Sequence, residues 1–449
     1  MGGQRRKKGG RVTPKGCAPI GRLTPHERAG LEEIFERILR TAPNDLTDVL
    51  PPVAVEMWAS QMWSIWAKSE LVGMEAIEVF AGGLITYAGT RATPGGLMVL
   101  RALASVAPAP YGQRARRAAD RLAGEGVREP PWAAAVGAWE PTAAWLSFDP
   151  VDDDGVSVMV GFEGAGAPST VGVYVDHNLG AMAKDAFVVP AGIDQVLAEL
   201  QKSHTGDDDP SYREITLEEA AARWQQALAM TDMYLDPPSS EDLDHMRALV
   251  MARLAAMPQG GEVPAPVNVE EDERDRLLSE FLDSDETVGL LGIDGDEDED
   301  EALEHLSHQI LTFALDYVVG TPLRFSSVMV EMFCLDWAPR KIAGDSDAFT
   351  LLPDVLAAWI RFAGRRRGLP EASIREAVDA VYECAPEMIE LSEDPEVWGP
   401  AKTMALAIQQ RGIDLTDQGA LDDFIAEVNR RGGIDVLADS LAGSVAPKR

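Results

Sequence analysis

The sequence predicts a mainly α-helical protein: two similar helical modules flank a small α+β domain that contains an antiparallel meander. Three observations carry this. Apolar residues recur at helical spacing through most of 25–138 and again from Ala302 onward. Between 139 and 205 the pattern changes to short runs rich in β-branched and aromatic residues. A set of apolar landmarks in the first module then reappears 272–275 residues later. The 449 residues correspond to roughly three domains at about 150 residues each. With 46% hydrophobic and 25% charged residues the mix is an ordinary globular one.

Taken in order, residues 1–24 hold seven Lys or Arg, no acid, and several Gly and Pro, and read as a disordered basic tail. Helical module 1 (25–138) opens at Thr24-Pro25-His26-Glu27, with Thr as N-cap, Pro in the first helical position and Glu in the third. Leu31, Ile34, Phe35, Ile38 and Leu39 follow at helical spacing. Further helices are predicted over Val53–Ala67, Met74–Ala88, Leu97–Val106 and Arg114–Leu122, the second of these nearly apolar all round and therefore buried. Trp58, Met62 and Ile65 form one stripe with Trp63 and Trp66 beside it, a pattern that suits core better than a ligand pocket.

The α+β domain (139–205) reads as strands at Ala143–Phe148, Val156–Phe162 and Val171–Val175, with Ala186–Val189 as a fourth and Ile193–Leu200 as a closing helix. The turns between them are the DPVDDDG and EGAGAPS segments. A helical connector (210–257) follows, with helices over Glu218–Met233 and Asp242–Met257. Residues 258–300 read as an acidic flexible linker: PQGGEVPAPVNV is linker-like, and 270–304 hold 17 acids against Arg274 and Arg276. Helical module 2 (301–449) is interrupted at Pro322, Pro339, Pro370, Pro386 and Pro400.

The repeat is specific in places. Leu31-Glu32, Ile34, Ile38 and Leu39 return as Leu303-Glu304, Leu306, Ile310 and Leu311; Val55-Glu56-Met57-Trp58 returns as Val330-Glu331-Met332-Phe333. Ile85, Tyr87, Ala88 and Gly89 meet Ile360, Phe362, Ala363 and Gly364. The matched Glu56 and Glu331 interrupt apolar runs. They fit either a capping or buried hydrogen-bonding role or the two halves of a symmetric site.

The net charge of −34 argues against an extensive nucleic-acid surface, because such a body repels a phosphate backbone. The three cysteines, Cys17, Cys334 and Cys384, are far apart and form no CxxC pair, which suits a reducing cytoplasm. No uncharged stretch reaches the ~20 residues needed to span a bilayer, so a membrane span is not expected.

The sharpest polar group is Asp176-His177-Asn178-Leu179-Gly180 with Lys184-Asp185, where a strand ends and the chain turns. As a catalytic set, His177 would be a general base, Asp176 or Asp185 its orienter and Lys184 an electrostatic stabiliser. As structure, Asn178-Leu179-Gly180 is a turn and the charges cap the next segment. Asp149, Asp152, Asp153 and Asp154 precede it; they read either as a solvated Asp-rich turn or as partners of Asp176 around a divalent cation. Glu301, Glu304, His305 and His308 share a helix face, but Leu303, Leu306 and Ile310 account for the buried side, so a solvated face is expected. Arg361, Arg365, Arg366 and Arg367, and likewise Arg114, Arg116 and Arg117, are expected to meet the chain's own acids. No glycine-rich phosphate loop, nucleotide fingerprint, GxSxG elbow or HExxH occurs, so no cofactor and no metal is implied.

The segments EPPWAAAVG (129–137), VYVDHNLGAMAKDAFV (173–188), VEMFCLDWAPRKI (330–342) and VLAAWIRFAG (355–364) resemble a family of uncharacterised actinobacterial proteins, and the Ala-, Arg-, Gly- and Asp-rich composition agrees. The resemblance implies no activity, cofactor or partner. The sequence therefore points to a cytoplasmic interaction or regulatory protein with a protein partner or small ligand. The alternative is a hydrolase-type enzyme centred on Asp176, His177, Lys184 and Asp185.

Overall fold

Amphipathic repeats must bury their apolar stripes against neighbouring elements, and the structure, a computed structural model, shows where each stripe goes. It describes residues 25–67, 74–164, 166–203, 210–263, 265, 268–288, 290, 297–318, 322–343, 346–414 and 417–431. The basic tail at 1–24, Cys17 and residues 432–449 lie outside these. The chain divides into two compact units, Met1–Ala138 with Arg247–Ala252, and Trp139–Met246 with Arg253–Arg449.

The first unit contains α1 (Pro25–Asp45), α2 (Pro52–Ala67), α3 (Met74–Ile77), a π-helical turn (Glu78–Gly82), α4 (Gly83–Gly89), α5 (Pro94–Val106) and α6 (Tyr111–Gly124). Phe35, Leu39, Val55, Leu84, Ile85, Leu97, Leu100, Leu103 and Leu122 are buried in its core. α5 starts where Thr93 Oγ1 accepts from Gly96 N at 3.1 Å, with Pro94 in the first turn, where its lack of an N–H costs no helical hydrogen bond. The face that α2 buries differs from the expected stripe. Val55, Ala59, Trp63 and Trp66 are buried, whereas Ile65 is 59% exposed. The helix is apolar nearly all round, so periodicity alone did not choose a face. Trp63 meets Trp66 edge-to-face at 6.0 Å. Glu56 is fully buried, and its Oε1 accepts from Gly137 N at 2.6 Å. Glu331 in the second unit is exposed, so the two matched carboxylates occupy unlike surroundings.

The second unit opens with a sheet: β1 (Trp139–Phe148), β2 (Gly155–Gly164), β3 (Ser169–Asp176) and β4 (Met182–Val189), then α7 (Ile193–Ser203) and β5 (Ser211–Ile215). Among the described residues the sheet has five strands in the order β4-β3-β2-β1-β5, with every pairing antiparallel. The meander is as the sequence predicts. β5 is an addition, lying at the start of what reads as a helical connector. Its SYREI sequence buries only Ile215 well, which is why an edge strand escaped the apolar pattern. α8 (Leu217–Thr231) packs Trp224 fully buried against the sheet, with Nε1 donating to Val158 O at 3.0 Å.

The helices α9 (Glu241–Ala256), α10 (Glu271–Leu282) and α11 (Glu297–Thr312) follow, the last running into a π-helical turn (Phe313–Tyr317). α10 corrects the reading of 258–300 as a flexible linker. Leu277, Leu278 and Phe281 are buried, and Phe281 lies edge-on to Trp359 at 4.9 Å. The acids occupy the outer face of a helix whose apolar side joins the core. Beyond it come α12 (Ser327–Glu331), a π-helical run (Met332–Trp337), α13 (Ala338–Lys341), α14 (Ser346–Arg367), α15 (Glu371–Glu393), α16 (Pro400–Gln410) and α17 (Gln418–Arg431). Phe313, Phe333, Val355, Trp359, Val381 and Met388 are the centre of this second helical core. Among the described residues no helix is long and apolar enough to cross a membrane.

Candidate functional site at the sheet turns

The β1–β2 and β3–β4 turns stand side by side because β2 and β3 pair in register, Gly155 opposite Asp176. The first turn is held by its own aspartates. Asp149 Oδ1 accepts from Val151 N at 2.7 Å and Asp152 N at 3.1 Å, and Asp153 takes a left-handed φ of 51°. Asp tolerates that conformation better than most residues, because its short side chain bonds locally. Gly155 is required at the start of β2: a Cβ there would lie 2.4 Å from the Tyr174 hydroxyl and 2.6 Å from Val175 O.

The second turn is closed by Asp176. Its buried carboxylate accepts through Oδ1 from Asn178 N at 2.9 Å and Leu179 N at 3.2 Å, and through Oδ2 from Lys184 Nζ at 2.7 Å. Lys184 reaches it because of an irregularity in β4. Tyr174 pairs with Asp185 and Val175 with Ala183, so Lys184 is the extra residue of a bulge. Such a bulge re-aims the side chain it carries. Asp185 serves a different element: its Oδ1 accepts from Ser240 Oγ, and Ser240 in turn caps α9 by accepting from Leu243 N at 3.0 Å. His177 turns toward the neighbouring loop. Its Nδ1 is 3.0 Å from Asp153 O, which can only accept, so this contact selects the tautomer protonated at Nδ1.

Of the four residues predicted as a catalytic set, the structure brings Asp176 and Lys184 together, pairs His177 with Asp153, and gives Asp185 to Ser240. The centre of the polar network is Asp154 instead. Its Oδ1 accepts from Asn178 Nδ2 at 2.8 Å, Arg324 Nη1 at 3.1 Å and Ser326 Oγ at 2.6 Å. Ser326 caps α12, accepting from Met329 N at 3.1 Å. Arg367 Nη2 donates to Val151 O at 2.6 Å from the end of α14. Arg324 and Ser326 lie about 170 residues from Asp154, and no local pattern marked them.

Burial shapes the electrostatics. Arg324 is 3% exposed, and desolvation lowers its pKa against the raising influence of Asp154. Burial pushes Asp152 up to about 6, helped by Asp149, Asp154 and Glu376 and opposed by Arg367. Burial and then Asp176 push the Tyr174 hydroxyl up to about 12. Among the described residues no three His, Cys, Asp or Glu side chains are placed to hold one metal ion.

The remaining motifs resolve into structure. Glu301, Glu304, His305 and His308 are exposed on α11 while Leu303, Leu306 and Ile310 are buried. Arg365 pairs with Glu286 at 2.9 Å, Arg366 with Glu280, and Arg114 with Glu78 at 2.8 Å. Lys402, unmarked in the sequence, is 1% exposed, donates to Pro339 O at 2.8 Å and Ser392 O at 3.0 Å, and is lowered to about 8 by desolvation. No protein-family model, curated protein or solved structure matches this chain, so the chemistry of its sites is read from their geometry alone.

Proposed function

We propose that the protein is a cytoplasmic interaction or regulatory protein built on a duplicated helical scaffold, and that its polar sheet turns are a structural junction rather than a catalytic centre. One observation carries this reading: Asp176, His177, Lys184 and Asp185 are each engaged in turn closure, a bulge ion pair or a helix cap. A general base needs a lone pair facing substrate, and a nucleophile needs that base beside it. Here the acids accept from backbone amides and their capping partners, and although the Nε2 lone pair of His177 is left open, among the described residues no hydroxyl or thiol is hydrogen-bonded to that ring. The free thiols of Cys334 and Cys384 agree with a reducing compartment. Beside the β3–β4 turn, the loop after α8 presents Met233, Tyr234 and Leu235 as three consecutive exposed apolar residues. Apolar groups left in water in this way commonly mark contact surfaces.

The test is a comparison of wild type with His177→Ala and Lys184→Ala. Each protein is assayed on nitrophenyl acetate, nitrophenyl phosphate and nitrophenyl glycosides, with thermal melting recorded alongside. The expected result is no turnover that depends on either side chain, and a lower melting temperature in both variants. Turnover abolished by His177→Ala at an unchanged melting temperature would overturn the reading in favour of the hydrolase.

A further inference from the structure

The first unit contains a cleft of about 480 Å³ between α1 and the π-helical turn that leads into α4. That volume lies within the range of small-molecule sites. Leu31, Phe35, Val79 and Tyr87 line it, and Gly82 and Gly83 form part of its wall. The glycines let neighbouring side chains lie close to this wall. A Cβ on Gly83 would stand 3.1 Å from the Phe35 ring, and one on Gly82 2.6 Å from the Glu78 carboxylate. π-Helical turns disrupt the regular ladder and recur at binding sites.

The rim supplies charge. Arg28 and Arg91 both line the cleft, and among the described residues neither forms an ion pair with a carboxylate. Arg91 lies over the Tyr87 ring at 3.6 Å, which fixes its guanidinium at the mouth. Of the two rim acids, Glu78 is neutralised by Arg114 at 2.8 Å, leaving Glu32 opposed to two arginines. In a chain of net charge −34, two arginines without carboxylate partners at one apolar cleft are a local reversal of sign.

We infer that this cleft binds an apolar monocarboxylic acid, with its hydrocarbon body against Phe35, Val79 and Tyr87 and its carboxylate at Arg91 and Arg28. A guanidinium fork suits a carboxylate, and an aromatic wall suits a phenyl or alkyl body. The site belongs to the first unit and the sheet turns to the second, and it does not depend on whether those are catalytic.

The test is calorimetric titration of the full chain with 4-phenylbutyrate and with decanoate, and with 4-phenylbutanol as the uncharged control. The expected result is one saturable site per chain for at least one acid. The alcohol should bind about tenfold or more weakly, and Arg91→Gln should weaken the acid by about the same factor, as loss of one charge-assisted hydrogen bond implies. Thr86→Trp places a large side chain in the cleft from an exposed position and should abolish binding at an unchanged melting temperature. If that variant melts early, Arg28→Gln, on the exposed start of α1, takes its place with an expected loss of affinity. No saturable binding of either acid would overturn the inference. So would acid and alcohol binding equally, or affinity unchanged in Arg91→Gln.

Discussion

Ser326 Oγ donates to Asp154 Oδ1 at 2.6 Å while accepting from Met329 N at 3.1 Å. One hydroxyl therefore starts α12 and ties that helix to the β1–β2 turn. The same Asp154 oxygen meets Arg324, which is almost fully buried. Asp154→Ala would leave that guanidinium without its carboxylate in a low-dielectric setting, at a cost of about 3–5 kcal/mol. Ser326→Ala keeps the ion pair and should cost about 1–2 kcal/mol, for the lost cap and the lost bond to a charged acceptor. Urea denaturation of the two variants checks the order. Equal losses would mean that the charge at Asp154 contributes nothing beyond one hydrogen bond.

The His177 ring ties the β3–β4 turn to the β1–β2 turn, and the Lys184 ammonium closes the β3–β4 turn through Asp176. Lys184→Ala removes the partner of a buried carboxylate, although Asp176 keeps its two backbone donors. The expected cost is about 1–3 kcal/mol, and His177→Ala should cost about 1 kcal/mol, as a half-buried hydrogen bond does. Thermal melts read both.

The helices and the meander were legible because each repeats a short-range pattern: Leu97, Leu100 and Leu103 on α5, or the alternation through Val156, Val158 and Val160 on β2. Where composition competed with pattern, composition misled. Glu271-Asp272-Glu273-Arg274-Asp275-Arg276 reads as solvated chain, yet Leu277, Leu278 and Phe281 hold the helix on the core. Position was legible for the site, since Asp176, His177 and Lys184 do gather at a turn. Role was not, because the deciding partners, Arg324 and Ser326, come from a segment about 170 residues away. The matched Glu56 and Glu331 make the same point: like sequence, but one is buried and hydrogen-bonded to Gly137 and the other is exposed.

That contrast is measurable. Glu56→Ala strands the Gly137 amide and opens space in a closed core, which costs about 1–3 kcal/mol. Glu331→Ala alters an exposed position and should stay within about 0.5 kcal/mol. Similar losses in the two variants would argue that the positions do equivalent work.

Asp152 makes stability depend on pH. Its folded pKa, raised to about 6 by burial, lies above the ordinary 3.8, so the folded state binds the proton more tightly. The ionised group therefore opposes folding above pH 6, and stability recovers as pH falls from about 6 toward 3.8. The full shift corresponds to about 3 kcal/mol, which solvent access to a half-exposed group reduces to about 1 kcal/mol. Asp152→Asn should accordingly stabilise the protein by about 1 kcal/mol at pH 7.5 and by nothing at pH 3.5. Melting across that range checks it, and an effect independent of pH would show that charge is not the cause.

Gly30 and Gly95 set intrinsic helix propensity against packing. Both sit in helices of the first unit, and Ala is favoured over Gly in a helix by about 1 kcal/mol. At Gly30 a Cβ would meet nothing within 4 Å, so Gly30→Ala should stabilise the protein by about 0.5–1 kcal/mol. At Gly95 the Cβ would fall 1.9 Å from Leu39 O and 2.9 Å from Leu39 C. Those are backbone atoms of α1, which cannot turn aside as a side chain does. Relief requires α1 and α5 to separate, uncovering Leu39, Leu97 and Leu100. Overpacking of this kind costs about 1–3 kcal/mol or more, which outweighs the propensity gain, so Gly95→Ala should destabilise by about 2 kcal/mol. Chemical denaturation of the two variants therefore gives shifts of opposite sign. A stabilised Gly95→Ala would mean that α1 and α5 lie farther apart than the structure places them.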